Sequence, residues 1–132
     1  MTGKRILVVE DDALLRDTCV DILGSQGHTI VAVDDGADAL AEIARTPPDA
    51  IVLDLLMPRA KVDGLEFLSR IAGSAAAHTP IVILSALGEM MAREVSAPLA
   101  TALCIAAILG KPVALDTFLR EIDRVLGAEM FL

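Results

Sequence analysis

The sequence has no tryptophan, no tyrosine and only three phenylalanines in 132 residues. Stacking platforms for bases, sugars or a flavin ring therefore have little to be built from. Cysteine is scarce too: Cys19 and Cys104 are the whole supply. Neither sits in a metal-type spacing, and the pair fits a reduced, cytoplasmic setting. No apolar run is long enough to span a bilayer, because the longest, over 100–109, is interrupted by Thr101. The opening "MTGKR" leads into strand-like sequence with no secretory leader ahead of it. Basic charge is also short. Eleven Lys and Arg against nineteen Asp and Glu leave a net charge of −8, which a phosphate backbone repels. Direct nucleic-acid binding and membrane association by this chain are not expected.

What is present is aliphatic. Hydrophobic residues make up 55% of the chain, too much for disorder and enough for a real core. Five short aliphatic runs recur, at Ile6–Val9, Thr29–Val33, Ala50–Leu53, Ile81–Leu84 and Ile105–Leu109. Runs apolar on both faces read as central strands of a parallel sheet. Helical stripes lie between them. Leu15, Cys19, Ile22 and Leu23 share one face, closed by Gly24; Ala37, Leu40, Ala41 and Ala44 share another; Leu65, Leu68 and Ile71 make a third. The last stripe runs through Leu115, Phe118, Leu119, Ile122, Val125 and Leu126 to a stop at Gly127. Residues 88–103 should carry the fourth helix, broken near Pro98, with Ser96 placed to start a segment whose first turn holds the proline. Strand and helix alternate five times, which predicts an α/β fold: a five-stranded, doubly wound parallel sheet with five helices, as one domain over residues 1–132.

In such sheets functional groups gather at the carboxyl ends of the strands. The first run ends in Glu10 and Asp11, with Asp12 left to cap the following helix; the third ends in Asp54, the fourth in Ser85, the fifth near Lys111. Each residue alone has a plain structural explanation, as a cap, a turn or a solvated charge. Together, at the ends of four strands, they point to chemistry. Clustered carboxylates need a counter-charge, and Mg²⁺, which prefers oxygen ligands and phosphates, supplies one. Glu10, Asp11 and Asp54 offer carboxylates, and the Leu56 carbonyl could add a further oxygen. Lys111 suits a phosphoryl oxygen and Ser85 offers a hydroxyl. A metal, an ammonium and a hydroxyl around one carboxylate form an arrangement for phosphoryl transfer, with the carboxylate as nucleophile.

The motifs "ILVVEDDALLR", "PDAIVLDLLMP" with "DGLEFL", "PIVILSA" and "GKPV" occur in this order. With them the chain resembles the receiver domain of bacterial two-component response regulators over nearly its whole length. The resemblance implies a flavodoxin-like sheet of strand order 2-1-3-4-5. It makes Asp54 the phospho-acceptor, and Glu10, Asp11, Asp54 and the Leu56 carbonyl the Mg²⁺ ligands. Ser85 becomes the switch hydroxyl and Lys111 the partner of the phosphoryl oxygens, beside a cis bond to Pro112. It further implies a phosphohistidine donor on a histidine kinase or phosphotransfer protein, and a downstream effector protein.

Several positions depart from that pattern. Four residues, Arg59, Ala60, Lys61 and Val62, stand between Pro58 and Asp63 where receivers usually place two. The insert reads either as a tolerated surface loop or as a change in donor or partner selection. Ile108 replaces the frequent aromatic switch residue. The approach "LATALCIAAILGKP" to the fifth strand is longer and more apolar than usual, and Met90, Met91, Val95 and Leu99 form either a docking face or plain core. Leu56 and Leu87 occupy the positions that influence the attacking water, so the phosphorylated form should be long-lived. His28 and His78, at the far edge of the sheet, read as ordinary surface residues. A Mg²⁺-dependent phosphohydrolase with an aspartyl nucleophile is a competing expectation, weakened by Leu56 where that class places a second acid. A pseudo-receiver that only binds partners is another. The chain ends soon after the fifth helix, so it is expected either to stand alone or to be a fragment of a larger regulator.

Overall fold

The computed structural model describes residues 3–127. Strands β1 (Arg5–Val9), β2 (Thr29–Val33), β3 (Ala50–Asp54), β4 (Pro80–Ser85) and β5 (Cys104–Gly110) pair in parallel in the order β2-β1-β3-β4-β5. Helices α1 (Ala13–Ser25), α2 (Gly36–Arg45), α3 (Gly64–Ile71), α4 (Glu89–Ser96) and α5 (Leu115–Gly127) alternate with them. Two short 3-10 segments, Ala75–His78 and Ala97–Ala102, lead into β4 and β5. The expected topology and strand order are therefore those observed.

Strand alternation sorts the core into two layers. Ile6 and Val8, Ala50 and Val52, and Val82 and Leu84 pack against Cys19 and Leu23 of α1 and Phe118, Ile122 and Val125 of α5. Leu7 and Val9, Ile51 and Leu53, and Ile81 and Ile83 face Ala39 of α2, Phe67, Leu68 and Ile71 of α3, and Ala92 of α4. A one-residue slip of any central strand would exchange the two sets, but both faces are covered, so only packing shape fixes the register. Phe67 is fully buried, and cutting it to Ala would cost about 3–5 kcal/mol. That is a large part of the roughly 5–15 kcal/mol that holds a domain together.

Aspartates start three of the helices. The side chains of Asp12, Asp35 and Asp63 accept the N–H groups of Leu15, Ala37 and Glu66 and so satisfy otherwise orphaned donors. Gly64, the first residue of α3, sits where a Cβ would lie 2.3 Å from the Asp54 carbonyl oxygen. Only glycine lets this helix start directly under the end of β3.

Some local expectations shift. Helix α1 runs past Gly24 to Ser25, and the turn falls at Gly27, whose φ is +92°. In α2 the inward face is Ala39, with Ala37, Leu40 and Ile43 beside it, while Ala41 and Ala44 face solvent. A small, weakly apolar alanine marks neither face clearly, so the expected stripe through Ala41 and Ala44 differs from the buried face. Leu115 is also half exposed. Pro98 does sit in the first turn of the segment after α4, but Ser96 caps nothing; its buried hydroxyl donates back to the Ala92 carbonyl at 2.7 Å. Of the four apolar residues of that region, Val95 and Leu99 pack on the core and Met90 and Met91 are exposed. The long approach to β5 is partly absorbed by a bulge. Ile81 pairs with Ile105 and Val82 with Ala107, and the Arg124 guanidinium takes the carbonyl of the skipped Ala106 at 2.7 Å. His78 is exposed, whereas half-buried His28 accepts the Lys4 N–H at 3.1 Å. Phe131 and Leu132 lie outside the described residues.

Candidate functional site

Parallel pairing brings the strand ends to one edge. Val9 pairs with Leu53, Asp54 with Leu84 and Ser85 with Gly110, so the residues at or just past these positions become neighbours. Glu10, Asp54 and Ser85 are buried there, at 2%, 3% and 0% exposure. Charged groups at such exposure need partners. Lys111 provides one, with Nζ 2.7 Å from Glu10 Oε1 and 3.3 Å from Asp54 Oδ2. The backbone fixes the rest. Asp54 Oδ1 accepts the Leu56 N–H at 3.1 Å, and Glu10 Oε2 accepts the Asp12 N–H at 3.2 Å. The Ser85 carbonyl accepts the Lys111 N–H at 2.8 Å, which ties the lysine to β4. The Ser85 hydroxyl accepts the Leu87 N–H at 3.1 Å, which leaves its own proton to donate. The Lys111–Pro112 peptide is cis.

One oxygen each from Glu10, Asp11 and Asp54 lie within 4.8 Å of one another. The crowding leaves its mark on Asp54. Burial first, then the hydrogen bond and charge of Glu10, push its carboxyl up to about 7, against the opposing pull of Lys111 and the Leu56 N–H. For Lys111 burial pulls downward, but the hydrogen bond to Glu10 and the charges of Asp54 and Glu10 outweigh it, so the ammonium titrates above its ordinary value. Asp11 Oδ2 is buried with no hydrogen-bond donor. A buried carboxylate oxygen with free lone pairs, beside two more carboxylates, is a donor set of hard oxygens that could hold a divalent cation, and it fits Mg²⁺.

All the side chains expected to act together are thus neighbours: Glu10, Asp11, Asp54 and Lys111 in direct reach, and Ser85 one position beyond the register partner of Asp54. Leu56 and Leu87 stand at the rim, 41% and 39% exposed. Sequence reasoning missed three neighbours. Arg16 donates to the Glu10 carbonyl at 3.0 Å, from a helix face that looked merely polar. Asp35, in a "DDG" that as sequence signals only a helix cap, lies beside this edge and also binds the loop after β3. Arg59 was read only as part of a longer loop, yet its guanidinium reaches the Asp11 carbonyl at 3.4 Å.

A doubly wound parallel sheet with an acidic cluster and a lysine at its strand ends defines a narrow class of proteins. The family model for the response regulator receiver domain matches residues 6–123. This chain belongs to that family. It is 41% identical over 115 residues to protein-glutamate methylesterase/protein-glutamine glutaminase 5 of Myxococcus xanthus, covering 86% of this chain and 31% of that protein. It is 34% identical over 122 residues to the response regulator MprA of Mycobacterium leprae, covering 92% of this chain and 50% of the relative. The chain therefore spans half or less of the length of these curated relatives. Among solved structures it resembles the chemotaxis response regulator CheY4 of Vibrio cholerae, with a TM-score of 0.82 at 25% identity over 95% of this chain and all of that one. It also resembles the receiver domain of NtrX from Brucella abortus, with a TM-score of 0.79 at 28% identity over 92% of this chain and 98% of that one. Among the described residues no helix is long and apolar enough to cross a membrane.

Proposed function

We propose that this chain, as a single receiver domain, takes a phosphoryl group onto Asp54 in a Mg²⁺-dependent reaction and passes the signal on by a conformational switch. The donor is a phosphohistidine on a histidine kinase or phosphotransfer protein, and the recipient of the signal is an effector protein. A carboxylate oxygen of Asp54 attacks phosphorus and the P–N bond breaks. The imidazole leaves with its electron pair and takes up a proton, and Asp54 carries an acyl phosphate. Glu10, Asp11, Asp54 and the Leu56 backbone carbonyl would hold Mg²⁺, which when bound supplies positive charge to the phosphoryl oxygens. Lys111, already 3.3 Å from Asp54 Oδ2, is the fixed positive charge on this side of the acceptor. The Leu56 N–H holds the carboxylate rotamer, and the Ser85 hydroxyl donates to the new phosphoryl group and moves toward it.

The observation that carries this reading is the buried Asp54 carboxyl held between the Lys111 ammonium and the Glu10 and Asp11 carboxylates. The chain acts as a signalling acceptor that catalyses its own phosphorylation and slow dephosphorylation, and its two free thiols suit the cytoplasm. Incubation with acetyl phosphate and Mg²⁺, followed by intact mass, tests it. One phosphoryl adduct is expected, lost in Asp54→Asn and in chelator. An unmodified mass would leave only a partner-binding role. Multiple turnover of a generic phosphate ester would mean a hydrolase instead.

A further inference from the structure

The four-residue insert is not a loose surface loop. Asp35 holds it: the same carboxylate that caps α2 accepts the N–H groups of Lys61 at 2.6 Å and Val62 at 3.1 Å. Burial works against its charge, but these donors, with Ala37 N–H and the Lys61 ammonium, keep Asp35 below the usual carboxylate range. The Val62 carbonyl accepts the Gly36 N–H at 2.8 Å, and a Cβ on Gly36 would lie 2.6 Å from that oxygen, so only glycine admits the contact. Val62 itself is 6% exposed and packs with the core. On the other side, the Ala60 N–H closes a turn onto the Met57 carbonyl at 3.0 Å. The base of Arg59 is therefore fixed between β3 and the start of α2.

From that base the side chain crosses to the end of β1. Its Nη2 reaches the Asp11 carbonyl at 3.4 Å, and its Nε lies 3.9 Å from Asp11 Oδ2. This is close enough for charge and too far for a hydrogen bond, which is why Asp11 Oδ2 keeps free lone pairs. The side chain of Arg59 is 77% exposed and that of Asp11 only 10%. Such an ion pair holds weakly and lets go easily.

We propose that Arg59 is a tethered counter-ion for Asp11, one that weakens Mg²⁺ uptake, so that the insert sets the cation concentration at which the site fills. The inference rests on the reading of Asp11 as a Mg²⁺ ligand. A guanidinium at this separation and a divalent ion on Asp11 repel each other. In water-like surroundings and ordinary salt the repulsion corresponds to about a three- to tenfold weaker affinity. The cation also displaces the arginine, whose exposed side chain is free to turn into solvent.

Magnesium titration of the whole chain tests this, read by calorimetry and by the amide resonances of Asp12 and Leu56, which donate to Glu10 and Asp54. Arg59→Gln should bind Mg²⁺ about three- to tenfold more tightly than wild type, Arg59→Lys should restore the wild-type affinity, and high salt should shrink the difference. An Arg59→Gln affinity equal to wild type, or one that is unchanged by salt and not restored by lysine, overturns the role of Arg59 alone. Failure of the wild-type chain to bind Mg²⁺ at all overturns the metal reading beneath it.

Discussion

Replacing Asp54 by Asn should change how stability depends on pH more than it changes stability itself. Burial first, and Glu10 second, raise the Asp54 carboxyl from 3.8 to about 7. In the unfolded chain the same carboxyl titrates near 4. Between these values the folded chain holds a proton that the unfolded chain has released, so folding is favoured in acid and loses ground as pH rises through the window. At about 1.4 kcal/mol per unit, three units set an upper limit of about 4 kcal/mol. Asparagine carries no charge, but its amide cannot accept from both the Leu56 N–H and Lys111. It forfeits about 1 kcal/mol at every pH. In chelator, then, the variant should be slightly less stable than wild type at pH 4 and about 2–3 kcal/mol more stable at pH 8, which is several degrees in Tm. With no tryptophan or tyrosine to follow, scanning calorimetry or far-UV circular dichroism is the assay. A variant-minus-wild-type difference that stays flat from pH 4 to 8, or that turns against the variant as pH rises, would refute the claim that burial and the Glu10 charge outweigh Lys111 at Asp54.

Three further outcomes are expected. Lys111→Ala removes the one ammonium that touches both Glu10 and Asp54, so Mg²⁺ binding should persist or tighten while the response to phosphorylation, read as phosphorylation-dependent partner capture, falls sharply. Because the exposed side chains of Leu56 and Leu87 can neither hold nor orient a water, the phosphorylated chain should lose its label slowly, and Leu56→Asn should speed that loss by about tenfold in a mass-spectrometric time course. A thiol reagent at pH 8 should modify exposed Cys104 promptly and buried Cys19 only after denaturation, since burial first, then the Glu10 charge, against the pull of Lys111, push the Cys19 thiol up to about 11.

The aliphatic runs were the legible part of the fold. A strand covered on both faces has few polar positions, and all five runs match their strands to within a residue at each end. The strand-end residues followed directly, because parallel topology leaves them one place to go. Helix faces were less legible where alanine replaced larger residues, as at Ala39, Ala41 and Ala44, since one methyl group gives little preference for either side. The insert was illegible for a different reason. Nothing local in Arg59–Val62 announces that Lys61 and Val62 bond to Asp35, 26 and 27 residues earlier. A capping aspartate looks the same in sequence whether it serves one helix or also clasps a loop. Arg16 escaped notice likewise, since its partner is a backbone carbonyl, which every residue has.

The cluster's charge arithmetic ties stability to cation binding. Three carboxylates share one close ammonium, Lys111, with the Arg16 guanidinium held on the Glu10 backbone carbonyl and that of Arg59 distant and removable. The fold meets the shortfall partly by favouring a proton on Asp54, whose carboxyl burial and the neighbouring Glu10 raise to about 7. A proton on the acceptor is incompatible with nucleophilic attack, so the stabilising proton and the proposed chemistry compete for one oxygen. A divalent cation held by the three carboxylates would resolve the conflict, taking over the proton's role and leaving the carboxylate ionised. A cation that binds the folded chain alone should stabilise it by about 2.7 kcal/mol at a hundredfold excess over its Kd. Its uptake should release a fraction of a proton near pH 7, measurable as a buffer-dependent binding enthalpy. Asp54→Asn should abolish that release while Glu10 and Asp11 retain weaker binding. Proton release unchanged in the variant would place the displaced proton elsewhere and break the link between the crowded carboxyl and the metal.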